Sequence, residues 1–227
     1  TKESGQMKWY CFSASCTAKG VLDTDKTMED ITHMIKKKSE DKIDWKVPQH
    51  FTVGHSTHQV SRYLGRNNCT DAYNQGRADI RYDPQNHRAV FMIKDNTDKI
   101  IGGVGRALRS DILPKWYVYG RKDYPFICGE GDTAVVVEDC ASACAVSQDF
   151  VGVALMGTSL SDSFIPVIQK NYKKVIVALD RDATTKSFDI AKELSSTNIE
   201  TKVVMLEDDL KYFRPAHIKE ILCKNDN

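Results

Sequence analysis

The chain has 227 residues, 41% of them hydrophobic, and sets 32 Lys and Arg against 31 Asp and Glu for a formal charge of +1. That is room for one large domain or two small ones with an ample core, and no apolar run approaches a membrane span. Seven cysteines without a disulfide-framework spacing indicate a reducing intracellular setting, no signal-peptide pattern opens the chain, and a start at Thr1 rather than Met reads as an excised fragment.

The near-neutral total hides an asymmetry. Residues 42–127 carry 14 basic against 8 acidic side chains, whereas residues 128–227 carry 11 against 16. A basic stretch beside an acidic one is the charge pattern of a nucleic-acid groove next to a metal site.

In chain order, Cys11 and Cys16 enclose four residues, with Phe12 after the first. A structural zinc site needs four ligands, and no Cys or His precedes Cys11, so no intact four-Cys site is expected in this chain. Residues 27–38 predict a short helix: Thr27 is the cap, Asp30 sits in the capping-box position, and Ile31, Met34 and Ile35 form the apolar stripe. Lys36, Lys37 and Lys38 suit the negative end of its dipole. The polar residues 39–46 predict a linker.

Residues 48–127 predict a mixed α+β region. A helix is expected over 60–65, ending at Gly65, followed by short strands over 79–82, 88–93 and 100–108. Turn residues at 83–87 and 95–98 make antiparallel hairpins their natural product. His55, His58 and Cys69 lack a second ligand pair and give no metal site. The segment Gly103-Val104-Gly105-Arg106 combines glycines, which permit close backbone approach, with a cation, and Pro114-Lys115-Trp116-Tyr117 follows it.

From residue 133 onward the pattern changes. Apolar β-branched runs at 134–137, 151–156 and 175–179 predict strands buried on both faces, with helices over 141–149 and 161–172 between them. Strand–helix–strand order implies parallel pairing with right-handed crossovers, which brings the C-terminal strand ends to one edge. Glu138 ends the first strand, and Asp180 and Asp182 end the third, so these carboxylates are expected to meet. Closely placed carboxylates need neutralising, and oxygen ligands suit Mg²⁺ or Mn²⁺. A helix over 182–195, a fourth strand over 201–206 with Glu207-Asp208-Asp209 at its end, and a helix over 215–223 complete the chain.

Three motifs at strand ends, Glu138, Gly157-Thr158 and Asp180-Arg181-Asp182, resemble the Toprim domain shared by bacterial-type primases, topoisomerases and some nucleases. Arg88 opening a strand, Gly103-Val104-Gly105-Arg106 and Pro114-Lys115-Trp116 resemble the region before that domain in bacterial and bacteriophage primases, and Cys11 and Cys16 resemble half of those proteins' N-terminal zinc ribbon. The chain departs from the usual Glu-Gly at the first acidic motif, where Glu138 is followed by Asp139, and from the usual Ala-Gly after Asp-x-Asp.

The resemblance implies a zinc-ribbon remnant with a linker helix over 1–41, a basic α+β subdomain over 42–127, and a Toprim domain with a four-stranded parallel sheet flanked by helices over 128–227. It implies a primase, a nucleotidyltransferase making short RNA on single-stranded DNA from ribonucleoside triphosphates. One or two Mg²⁺ or Mn²⁺ ions would sit on Glu138, Asp180 and Asp182, with outer support from Asp208 or its neighbour Asp209, either of which could instead cap the last helix. Arg88, Arg106, Lys115 and Thr158 would hold template or triphosphate. Zn²⁺ would be required only where the ribbon of Cys11 and Cys16 is complete. A replicative helicase is an expected partner, with no membrane role, in the cytoplasm (the host's, for a phage-encoded protein). The alternatives are a Toprim nuclease using the same acids, and a non-catalytic single-stranded DNA-binding or helicase-associated fragment.

Overall fold

The computed structural model describes residues 6–10, 19–23, 45–121, 124–156, 160, 164–196 and 199–224. The helix expected over 27–38, most of the segment 39–46, Cys11, Cys16 and Gly157-Thr158 lie outside the described residues. The chain divides into two compact units, Thr1–Asp44 and Trp45–Asn227. In the first, strand β1 (Gln6–Tyr10) pairs antiparallel with β2 (Lys19–Asp23).

The second unit holds two five-stranded sheets. One is antiparallel throughout and takes its strands in sequence order: β3 (Thr52–Val53), β4 (Ile80–Asp83), β5 (Arg88–Lys94), β6 (Ile100–Ala107) and β7 (Trp116–Gly120). Helices α1 (His58–Arg66) and α2 (Thr70–Asn74) lie between β3 and β4 in the chain. Thr57 caps α1 by accepting from the Val60 amide at 3.4 Å, and Val60 and Leu64 face the core.

The other sheet is mixed. Its order is β12 (Glu200–Val203), β11 (Lys174–Val177), β9 (Thr133–Val137), β10 (Val151–Ala154) and β8 (Phe126–Cys128). The first four run parallel, as the apolar runs require, and β8 adds an antiparallel edge. The expected four-stranded sheet therefore carries a fifth strand. Three residues between Pro125 and Gly129 are too short to show a period in sequence.

Alternate side chains of β9 feed two cores. Val135 and Val137 join the core shared with the antiparallel sheet, α3 (Cys140–Val146) and α6 (Pro215–Cys223). Ala134 and Val136 join a second core with α4 (Ile165–Asn171) and α5 (Thr184–Ser195). The mixed sheet is thus covered on both faces, which accounts for its unbroken apolar strands. Phe91 of β5 and Phe126 of β8 meet edge to face, with ring centroids 5.6 Å apart, so one core runs between the sheets. Among the described residues no helix is long and apolar enough to cross a membrane.

Helix α3 is built from small side chains, all of them buried, because it lies almost on the sheet. At Gly152 of β10, an added Cβ would stand 2.1 Å from the Ala143 carbonyl oxygen. Backbone on both sides leaves nothing flexible to yield. Gly152→Ala is therefore expected to cost about 2–3 kcal/mol, read as a lower urea midpoint with an unchanged slope.

Candidate active site

The parallel strands deliver their carboxylates to one edge, as strand direction dictates. Glu138 follows β9 directly and is partly buried; its carbonyl accepts from the Met156 amide at 2.8 Å, which ties the β9 and β10 ends together. Asp139 caps α3, its Oδ1 accepting from the Ala141 and Ser142 amides at 2.8 and 2.9 Å. Asp180 lies just past β11 and is partly buried, and Asp209 precedes the 3₁₀ turn Leu210–Tyr212. These four acids line a cavity of about 380 Å³.

The opposite wall of the cavity comes from the antiparallel sheet and α1. Arg106 of β6, Lys115 just before β7, Trp116 and Val118 of β7, and Tyr63 and Asn67 near the end of α1 are among its lining. The Arg106 guanidinium stacks 5.1 Å from the centre of the Trp116 ring. Its Nε is buried without a hydrogen-bond partner.

The site is short of positive charge. Burial pushes the Asp180 carboxyl up to about 7, helped by the neighbouring charges of Asp209 and Glu138 and opposed by Lys211. Burial also raises Glu138; Lys186 counteracts it, while Asp182, Asp139 and Asp209 reinforce it. Lys211 is the one described lysine inside the acidic wall besides Lys115 opposite. Its Nζ donates to Asp139 Oδ2 at 2.5 Å and also to Asp209 Oδ2. Burial alone would lower its pKa, but Asp139 and Asp209 outweigh that and hold it protonated well above its ordinary range.

Of the residues expected from sequence, Glu138, Asp180, Arg106 and Lys115 come together around this cavity. Asp182 sits in the exposed 3₁₀ turn Arg181–Ala183, close enough for its charge to act on Glu138 but outside the lining. Of the pair Asp208 and Asp209, Asp208 is exposed and accepts from the Asp209 amide, and Asp209 lines the cavity. Arg88 is not among the residues that line this cavity. It is 3% exposed, donates to the Gly105 carbonyl at 3.2 Å and stacks toward Tyr117, so it braces β5 against β6 rather than lining the groove. Thr158, Cys11 and Cys16 lie outside the described residues. Tyr63, Asn67, Met156 and Lys211 have no motif around them that would have singled them out.

The donor chemistry fits a hard divalent cation, since the wall is all carboxylate oxygen and its charge is undercompensated. Among the described residues, however, no group of three or more His, Cys, Asp or Glu converges closely enough to hold a metal ion in this arrangement.

In fold, the chain is similar to solved domains of bacterial primases. The zinc-binding and RNA polymerase domains of the Aquifex aeolicus primase match with a TM-score of 0.53 at 21% identity, covering 87% of this chain and 56% of that one. The RNA polymerase domain of Mycobacterium tuberculosis primase DnaG, solved in complex with double-stranded DNA, matches with a TM-score of 0.50 at 16% identity over 77% of this chain and 66% of that one.

In sequence, this chain is similar to bacterial DNA primases. It is 30% identical over 120 residues to that of Legionella pneumophila, covering 46% of this chain and 21% of that protein. It is 28% identical over 148 residues to that of Clostridium acetobutylicum, covering 56% of this chain and 24% of that protein. The matched stretch thus spans about a fifth to a quarter of each curated relative. No family model matches the chain.

A carboxylate whose folded pKa is raised binds more protons folded than unfolded, so stability falls as pH rises. For Asp180 the fall lies between its ordinary value near 4 and its folded value of about 7. Asp180→Asn should flatten this slope when divalent cations are absent. It should raise Tm at pH 8 by about 2–4 °C and leave it unchanged near pH 4, as thermal melts across that range would show.

Proposed function

We propose that this chain carries the catalytic core of a DNA primase, synthesising short RNA on a single-stranded DNA template from ribonucleoside triphosphates. The observation that carries this reading is the cavity in which Glu138 and Asp180 face Arg106, Lys115 and Trp116. A nuclease needs the acids alone, whereas a polymerase must also hold a triphosphate and a base. The likeness to DNA primases in sequence and fold supports the same reading.

In this reading the mixed sheet with its acidic edge is a Toprim domain, residues 128–227, and residues 42–127 form the basic subdomain that supplies the other wall. Glu138, Asp180 and Asp182 would hold Mg²⁺ or Mn²⁺. When bound, the ion neutralises triphosphate oxygens and lowers the pKa of the attacking hydroxyl.

The remaining work falls to the protein's own groups. Arg106 has an unpaired buried donor, and with Lys115 it offers charge-assisted hydrogen bonds to phosphate oxygens. Trp116 gives Arg106 a fixed platform and limits the entropy lost when a phosphate is gripped. The partly buried position of Glu138 and Asp180 limits water around them, which strengthens every charge interaction there. Thr158, after the β10 strand end, would orient a phosphate through its hydroxyl. A DNA template in the cytoplasm, neutralised along its backbone by the basic wall, completes the reading.

A primer-synthesis assay with single-stranded DNA, labelled ribonucleotides and Mg²⁺ or Mn²⁺ tests it. Asp180→Ala should reduce product at least about 100-fold, and Arg106→Ala about 10- to 100-fold by loss of a charged hydrogen bond. Cleaved DNA in place of product would replace this reading with a nuclease. DNA binding that persists in Asp180→Ala with no product from either chain would replace it with a binding fragment.

A further inference from the structure

The two walls of the cavity come from different parts of the fold, and a single side chain ties them together. Helix α1 ends at Arg66, and Asn67 caps its C-terminus. The Asn67 amide and its Nδ2 both donate back to the Tyr63 carbonyl, at 3.2 and 2.8 Å. The chain then turns through Asn68, which takes a left-handed conformation with φ of 53°. Asn is one of the few residues with a side chain that enters this region readily. Cys69 closes the turn: it is fully buried, and its amide donates to the Leu64 carbonyl at 2.9 Å.

The Asn68 side chain crosses to the other wall. Its Nδ2 donates to the Lys211 carbonyl at 2.9 Å and to the Phe213 carbonyl at 2.8 Å, 143 and 145 residues further along the chain. A side-chain amide nitrogen has two donors, so both are spent here. The receiving turn, Leu210–Tyr212, is itself fixed, since Leu210 is fully buried and the Lys211 side chain is held by Asp139 and Asp209. On the donating side, α1 is packed on the antiparallel sheet. Val60 and Leu64 are buried in the shared core, and Tyr63 meets Phe91 of β5 edge to face with centroids 6.4 Å apart. Tyr63 and Asn67 on one side of this link, and Asp209, Lys211 and Tyr212 on the other, line the cavity. The link therefore stands at the border of the cavity.

We infer that Asn68 is a positioning residue: its two hydrogen bonds hold the wall of Arg106 and Lys115 in register with the wall of Glu138 and Asp180. The inference rests on the primase reading and goes beyond it in naming what sets the spacing of the walls. In that reading a triphosphate is gripped from one wall and reacts at the other, and a misplacement of about 1 Å can cost about 100-fold in rate. The grip uses groups of one wall only, so loss of the link acts on kcat rather than on KM.

Steady-state primer synthesis by the full chain tests this, with ribonucleotide varied at saturating single-stranded DNA and Mg²⁺. Rates are compared per native molecule, counted by near-ultraviolet circular dichroism. Asn68→Gly keeps the left-handed backbone and removes both donors. It should lower kcat about 5- to 20-fold and change KM for the ribonucleotide less than about twofold. Asn68→Asp keeps the shape but sets an acceptor against the two carbonyls, so it should lose at least as much, and it reports where the glycine variant does not fold. Arg106→Ala loosens the triphosphate from its wall, so adding Asn68→Gly to it should cost less than about twofold more. A role in stability alone would lower both backgrounds by the same factor. A kcat within about twofold of the parent in the Asn68 variants, a rise in KM in place of the fall in kcat, or equal losses in the two backgrounds would overturn the inference and leave the primase reading standing. No primer from the parent chain would remove the primase reading, and this inference with it.

Discussion

Four carboxylates gathered at one edge of a sheet repel one another, and much of the second unit is arranged around tolerating that repulsion. The gathering follows from topology: strands β9, β11 and β12 run parallel, so their C-terminal ends share an edge. Burial first, and the neighbouring carboxylates after it, raise the carboxyls of Glu138 and Asp180. A fold built for stability alone would have no reason to bury negative charge there, because leaving it in water costs less. Raised carboxyls in a cavity mark a place where charge is kept for use.

The second sheet supplies the complementary wall, and its two arginines show how position decides role. Arg88 and Arg106 lie on neighbouring antiparallel strands. Arg88 is Cα partner to Asp83 of β4 and to Ala107 of β6, in the middle of the sheet, where its guanidinium is buried and satisfied by a carbonyl. Arg106 pairs with Trp116 on the edge strand, lines the cavity and keeps a donor unspent. The Asp83 side of this sheet is a closed polar cluster, with Tyr119 donating to Asp83 at 2.6 Å and His50 3.3 Å away. A buried polar group with its partners in place stabilises; one without them is free to recruit a ligand.

This contrast separates what was legible in the sequence from what was not. The parallel strands could be read because both of their faces are buried, which leaves runs of Val, Ile and Ala ended by acids. Strand β7 could not, because as an edge strand it exposes Tyr117 and Val118, and its residues show no clean alternation. Glu138 and Asp180 stand at strand ends, which the apolar runs mark in the sequence, whereas Arg106 and Lys115 are singled out by their place in motifs that resemble a known family. Asp208 and Asp209 differ by one residue in a turn, where no period decides which of them points inward. Arg88 looked like a groove residue because sequence shows charge but not whether a neighbouring carbonyl has already claimed it.

Asp139 shows how the acidic edge limits its own charge. On charge alone, a carboxylate directly after Glu138 adds to the repulsion at the edge. Its two oxygens have other employment: one holds the first turn of α3 and the other holds Lys211, 72 residues away. The helix it caps lies almost against β10 at Gly152, so the cap fixes the angle at which the β9 end is presented. An acid in that position therefore connects helix, strand end and lysine through a single side chain. Its extra negative charge is matched locally by a cation that the fold supplies, Lys211.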